Sequence, residues 1–135
     1  MAANTTFQIA LYSSDLQTDI LDLSVNNTLS LATQGGLLRG KLQASGHKTV
    51  LADNLDFAAT SKIFIYNATS TGTAADSRIY ISFDNGTTQH LSIKMGEWAM
   101  IPWTANECPE ASDRLELVAW AETAGNLIEY GVFDQ

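Results

Sequence analysis

Few residues in this chain are of the types that perform chemistry. His47 and His90 are the only histidines and Cys108 the only cysteine. A positioned histidine can act as a general base, and a thiol or hydroxyl beside it as a nucleophile. His90 stands in the run from Gln89 to Lys94, on the opposite face from Leu91 and Ile93, and reads as a surface residue. His47 follows Ser45-Gly46 and reads as part of a turn. Cys108 lies in Glu107-Cys108-Pro109 with no histidine near it in sequence, and no Gly-x-Ser-x-Gly elbow occurs. A triad assembled from distant segments stays open, but no catalytic residue is assigned and the chain is not expected to be an enzyme.

Metal and cofactor chemistry finds little more. Two distant histidines and one cysteine lack a zinc spacing. Asp15, Asp19 and Asp22, or Asp53 and Asp56, offer oxygen ligands of the kind calcium takes, yet no calcium-loop pattern with its closing Glu is present. These acids read as solvated turn and strand-edge groups. No glycine-rich loop leads from a strand into a helix, so a phosphate cradle is absent. Neither metal nor cofactor is expected. Seven basic residues (Arg39, Lys41, Lys48, Lys62, Arg78, Lys94 and Arg114) stand against fifteen acids, for a formal charge of −8. They are scattered, and the acidic excess repels polyanions and anionic lipid, so neither nucleic acid nor a membrane is an expected partner.

The aromatic residues remain. Trp98, Trp103 and Trp120 lie in the last third, with Phe64, Tyr66, Tyr80 and Tyr130. Exposed Trp and Tyr stack on sugars or anchor protein contacts, because they bury much area at little entropic cost. Core packing is the competing reading, strongest for Trp103 and Trp120. Trp98, in Gly96-Glu97-Trp98, opens a strand after a turn and is the better rim candidate. The candidate interface set is Phe64, Tyr66, Trp98, Trp103, Tyr130 and Phe133.

The elements that must position these residues are strands. Leu21, Leu23 and Val25 alternate with Asp22 and Ser24, and Leu29 and Leu31 continue the rhythm after a hairpin candidate at Val25-Asn26-Asn27-Thr28. Ile79, Ile81 and Phe83 share one phase, as do Leu91, Ile93 and Met95, and Leu115, Leu117 and Ala119. This period of two is the sheet signal. Asp84-Asn85-Gly86 predicts a tight turn, since Asn-Gly adopts positive φ readily. Ala124-Gly125-Asn126 predicts the join between the last two strands. Eight to ten strands, with at most one helical turn within Asn106 to Ser112, predict an all-β antiparallel sandwich, jelly-roll-like, forming one domain over residues 1–135. The polar stretch Met1 to Thr6 reads as an arm, flexible or in contact with a partner.

Two strands break the alternation. Lys62 to Tyr66 and Leu127 to Phe133 carry apolar groups on both faces, which fits either central burial or a subunit contact. The lone cysteine allows no intrachain disulfide. Met1 to Thr6 has neither the basic nor the apolar region of a secretion signal, and no stretch approaches the ~18 apolar residues of a membrane span, so folding in a cytoplasm is expected. The Asn-x-Thr patterns at Asn4, Asn26, Asn67 and Asn85 then read as by-products of an Asn/Thr-rich β composition rather than as glycan acceptors.

Four segments of the C-terminal half carry a resemblance: Lys62-Ile-Phe-Ile-Tyr-Asn67, Ile79-Tyr-Ile81, Leu91-Ser-Ile-Lys-Met-Gly-Glu-Trp-Ala-Met-Ile-Pro-Trp103 and Ile128-Glu-Tyr-Gly-Val-Phe133. Together they resemble small β-rich virion proteins of tailed bacteriophages, especially those of cyanobacteria. The resemblance covers about half of the chain. It departs at Met95, where a proline commonly precedes the glycine, and the first half matches only in rhythm. It implies a virion structural protein: a capsid decoration or cement protein that contacts the major capsid protein, or a tail, neck or fibre subunit, and a homo-oligomer with a trimer favoured. A carbohydrate-binding sandwich, such as a receptor-binding tip, is the reading of a different class. A concave cluster around Trp98 favours sugar, whereas a flat apolar face favours protein joints.

Overall fold

A computed structural model describes residues 3–13, 21–31, 38–42, 47–53, 61–71, 77–103 and 116–133. Ten strands run through them: β1 (Ala3–Ser13), β2 (Leu21–Leu31), β3 (Leu38–Lys41), β4 (Thr49–Ala52), β5 (Ser61–Asn67), β6 (Ile79–Ser82), β7 (Leu91–Ile93), β8 (Trp98–Trp103), β9 (Leu117–Ala121) and β10 (Leu127–Phe133). No helix occurs among the described residues. Cys108 and the one helical turn expected within Asn106 to Ser112 lie outside them.

Eight strands form two four-stranded antiparallel sheets, ordered β3-β10-β5-β8 and β4-β9-β6-β7. The pairing has a mirror pattern about the β6–β7 connection. β6 pairs with β7, β5 with β8, β4 with β9 and β3 with β10, while β5–β10 and β6–β9 complete the sheets. The two sheets close on one apolar cluster. Ile63, Ile65, Trp103, Ile128 and Val132 come from the first sheet, and Ile79, Ile81, Ile93, Leu117, Ala119 and Ala121 from the second. The fold is an all-β sandwich. β5, expected to be apolar on both faces, alternates in burial: Ser61, Ile63, Ile65 and Asn67 are buried while Lys62, Phe64 and Tyr66 are half-buried. Burying each isoleucine contributes about 1.5–3 kcal/mol, which fixes which face turns inward.

The polar groups within this core are satisfied. Asn67 ends β5 with no exposed surface. Its Nδ2 donates to the Ser77 carbonyl and, at 3.0 Å, to the Ile93 carbonyl of β7. Its Oδ1 accepts from the Thr69 amide at 3.2 Å. Its backbone takes the Gly96 amide and gives its own amide to the Glu97 carbonyl, at 2.9 and 3.0 Å. The side chain of this residue therefore ties the first sheet to the second, and its backbone anchors the turn that leads into β8. This asparagine belongs to an Asn-x-Thr pattern, but burial and its amide partners make it a structural clamp.

The remaining strands form a separate two-stranded sheet. β1 and β2 pair over all eleven positions, from Ala3↔Leu31 to Ser13↔Leu21. This corrects the expected Asn26-Asn27 hairpin: β2 runs straight through, with Asn26 opposite Gln8 and Asn27 opposite Phe7. Neither position is followed by a glycine, and a partner strand of equal length outweighs a weak local turn signal. Ala3 to Thr6, expected as an arm, pair with Thr28 to Leu31. The Asn85-Gly86 turn is present, with φ of 58° and 76°, and Gly125 (φ 99°) lies in the β9–β10 connection as anticipated. The fully buried strand is β9, in which Val118 and Trp120 are buried as well as Leu117, Ala119 and Ala121.

Replacing Asn67 by Ala leaves two buried carbonyls without their donor. Denaturant unfolding is expected to show a loss of about 2–3 kcal/mol, against less than about 0.5 kcal/mol for Thr87→Ala on the exposed turn. Equal losses would mean that the amide does not clamp the sheets.

Candidate functional site

The outward face of β3-β10-β5-β8 carries Phe64, Tyr66 and the half-exposed Trp98. Strand register sets the grid: Trp98 lies opposite Tyr66, Met100 opposite Phe64 and Pro102 opposite Lys62 across β8 and β5. On the other side of β5, Tyr66 faces Glu129, Phe64 faces Gly131 and Lys62 faces Phe133. Trp98 is 53% exposed. Its ring stacks on Phe64, one diagonal step away, at 6.4 Å between centroids and 29° between planes. Phe64 and Met100 pack against Phe133, which is itself buried. Gly131, opposite Phe64, adds no side chain to the face there. At its edge Arg39 Nε meets Glu129 Oε1 at 3.2 Å, and Arg39 is well exposed. Solvent-exposed pairs of this kind contribute little energy and act mainly as a charged rim.

The glycine turn before β8 aims Trp98. Gly96 has φ of 78°, a conformation that favours glycine. The Glu97 amide closes the turn on the Lys94 carbonyl at 3.0 Å, and Glu97 Oε2 accepts from the Lys94 amide at 2.8 Å. Beside Trp98 opens a wide-mouthed recess lined by Leu91, Ser92, Ile93, Gly96, Glu97, Trp98 and Ala99.

The expected interface residues divide by strand parity. Phe64, Tyr66 and Trp98 lie on the outer face together, and Phe133 lies beneath Phe64 and Met100 on that same side. Trp103 does not join them: it is 7% exposed and packs in the core between the sheets. Tyr130 also packs against the core, and burial raises its pKa above the ordinary tyrosine value. Trp120 is buried on the outside of the second sheet. Tyr80 lies 5.8 Å from it, and Lys48 Nζ sits 5.2 Å above its ring while donating to the Gly86 carbonyl. The sequence offered no reason to pair Lys48 with Trp120. Met100 was also missed, although its parity with Trp98 would have placed it on the same face.

Catalytic residue types do come together at one turn. Ser82 Oγ donates to Asp84 Oδ1 at 2.5 Å, and His90 Nδ1 lies 4.0 Å from that carboxylate oxygen. The order is unsuited to nucleophile activation, because the acid stands between serine and histidine rather than behind the histidine. Ser82 is fully buried and also accepts the Asp84 and Gly86 amides at 3.2 and 2.9 Å. His90 Nδ1 accepts from the Phe83 amide at 3.2 Å, with its ring tilted against Phe83. The group builds the turn. His47 is exposed, Asp53 is half-buried, and Asp15, Asp19 and Asp56 lie outside the described residues. Among the described residues no three His, Cys, Asp or Glu side chains gather as a metal site, and no helix is long and apolar enough to cross a membrane.

Hydrogen bonds from Ser82 and from the Thr88 amide hold the Asp84 carboxyl well below the usual carboxylate range. Its folded pKa is lower than its unfolded one, so its stabilisation is present above the unfolded value and is lost as pH falls below it. Between about pH 5 and pH 2, the stability of the wild type is expected to fall further than that of Asp84→Asn. Parallel curves from denaturant melts would contradict this role.

A scan of protein-family models and searches of the curated proteins and of the solved structures found no match to this chain.

Proposed function

We propose that this chain is a structural protein of a bacteriophage particle. In this reading it is a capsid decoration or cement subunit that grips the shell through the outer face of β3-β10-β5-β8. The observation that carries the proposal is the aromatic stripe of Trp98, Phe64, Tyr66 and Met100 on the outer face of one sheet. A half-exposed Trp stacked on a Phe, beside Met and Tyr and rimmed by Arg39, Glu129 and Lys62, has the composition of a protein-contact core with a polar edge. Its work is mechanical: each copy covers apolar surface across a joint, and the effect sums over many copies. The resemblance of residues 62–133 to small phage virion proteins supports the same assignment, with the major capsid protein as partner and a homo-oligomer, a trimer being favoured, as the working form.

The strand order lends further support. Mirror pairing of β3 with β10 through β6 with β7 is the wrapping of a jelly roll, and we read the sandwich in that way. Jelly rolls serve in both viral capsids and lectins. A tail, neck or fibre subunit is the nearest competing station on the particle. The lectin-like reading has one observation of its own, the open recess between Trp98, Glu97 and Ser92, where a sugar ring could lie on the indole.

Quantitative mass spectrometry and immunolabelling of particles purified from the source are expected to find many copies per particle, spread over the shell. Label confined to one vertex would transfer the protein to the tail or neck, and its absence from particles would reject the virion reading. With recombinant protein and stripped shells, Trp98→Ala is expected to weaken binding at least about 30-fold while leaving the unfolding midpoint nearly unchanged. Retained shell binding, or loss of glycan-array binding instead, would move the function to another surface or to sugar.

A further inference from the structure

Asn85-Gly86 is the one Asn-Gly pair in the chain; every other asparagine precedes a residue with a side chain. Such a pair is chemically labile. Once the Gly86 amide loses its proton, its nitrogen attacks Cγ of Asn85. A five-membered imide closes as the Cγ–Nδ2 bond breaks and ammonia leaves. Water then opens the imide at either carbonyl. The products are aspartate and isoaspartate, the latter with one extra carbon in the backbone. Glycine permits the attack because no side chain crowds its nitrogen.

In the folded chain both reacting groups are held. Asn85 is exposed, but Gly86 is buried and its amide donates to Ser82 Oγ at 2.9 Å. Ser82 has no exposed surface, so the proton that must leave is shielded from base. The carboxamide is tied from another direction. Asn85 Oδ1 accepts from the Glu116 amide at 2.5 Å, and the Asn85 amide donates to the Glu116 carbonyl at 3.3 Å. Closing the imide draws Cγ onto the Gly86 nitrogen and so moves the carboxamide that Glu116 holds.

We propose that Asn85 is a latent deamidation site, locked while the turn is closed on Ser82 and Glu116 and reactive only when it opens. The modification is one-way, and its isoaspartate branch damages the turn. Gly86 is closely seated: its carbonyl accepts from Lys48 Nζ, and a Cβ placed on it would stand 2.5 Å from Lys48 Cδ. Lys48 Nζ also lies 5.2 Å over the Trp120 ring. One more backbone carbon at position 85 shifts Gly86 against Lys48 and loosens the cover of Trp120. The inference is independent of the function proposed above.

Peptide mapping of the full-length protein, incubated in mildly alkaline buffer, tests it. Isoaspartate at position 85 is expected to form at least about 30-fold more slowly in the folded chain than in the same chain in denaturant. Equal rates would overturn the lock. Ser82→Ala is expected to speed the reaction of the folded chain at least about 5-fold and to leave the rate in denaturant unchanged. An unchanged rate in a folded Ser82→Ala chain would overturn it as well. Hydrogen exchange of the wild type keeps the test decisive if that variant fails to fold. Slow exchange of the Gly86 amide supports the lock, and exchange at the rate of an open turn overturns it. Chain carrying isoaspartate at position 85, separated by ion exchange, is expected to unfold at lower denaturant than the unmodified chain. An unchanged midpoint would overturn the damage assigned to that branch.

Discussion

The amide of Asn67 is the interaction on which the rest of this sandwich depends. It lies wholly out of water at the end of β5, and its two N–H groups reach the Ser77 carbonyl and the Ile93 carbonyl of the facing sheet. A polar group so placed is costly unless every partner is met, and here backbone and side chain are both engaged. The same residue holds the Gly96 and Glu97 backbone, which sets where β8 begins. The closure of the two sheets and the aim of Trp98 therefore share one anchor. Apolar burial alone would hold the sheets together but would not fix the turn that presents the aromatic face.

From this anchor the two sides of the first sheet acquire different tasks. The inner side of β5, β8 and β10 supplies Ile63, Ile65, Ile101, Trp103, Ile128 and Val132 toward the second sheet. The outer side carries a stripe of Phe64, Trp98 and Met100 that rests on the buried Phe133. Such a stripe is rigid, because each aromatic ring is braced by a neighbour on the next strand, and a rigid apolar patch gives up little entropy on binding. The second sheet differs: its outer aromatic residue, Trp120, is already covered by Lys48 and Tyr80. Among the described residues, the half-exposed Trp is thus on the outer side of the first sheet.

Much of this was legible in the sequence. The phases of Ile79 with Ile81 and of Leu91 with Ile93 predicted strands and their inner faces, and Asn85-Gly86 predicted its turn, whereas β5 was read as apolar on both faces and in fact alternates. The candidate interface was read less well, for a reason internal to strand geometry. Trp98 and Trp103 lie an odd number of positions apart in one strand, as do Tyr130 and Phe133, so neither pair can share a face. Asn67 was also within reach, since it is in phase with Ser61, Ile63 and Ile65 and had to be a polar group facing inward. Other features lay beyond local patterns. β3 (Leu-Arg-Gly-Lys) and β4 (Thr-Val-Leu-Ala) carry no apolar-polar alternation to read. The cover of Trp120 on β9 includes Lys48, which chain topology brings from far away. The length of β2 depends on the matching strand β1, which no short-range turn signal reveals.

The central claim is that the outer face of β3-β10-β5-β8 is the surface through which this protein works in its assembly. Hydroxyl-radical footprinting of the free chain and of the chain within the particle compares that face directly, because Trp98 and Met100 are both reactive side chains. The account predicts that oxidation of both residues falls sharply in the particle while that of Met95, on the turn before β8, changes less. Equal oxidation of Trp98 and Met100 in the free and assembled states would contradict it.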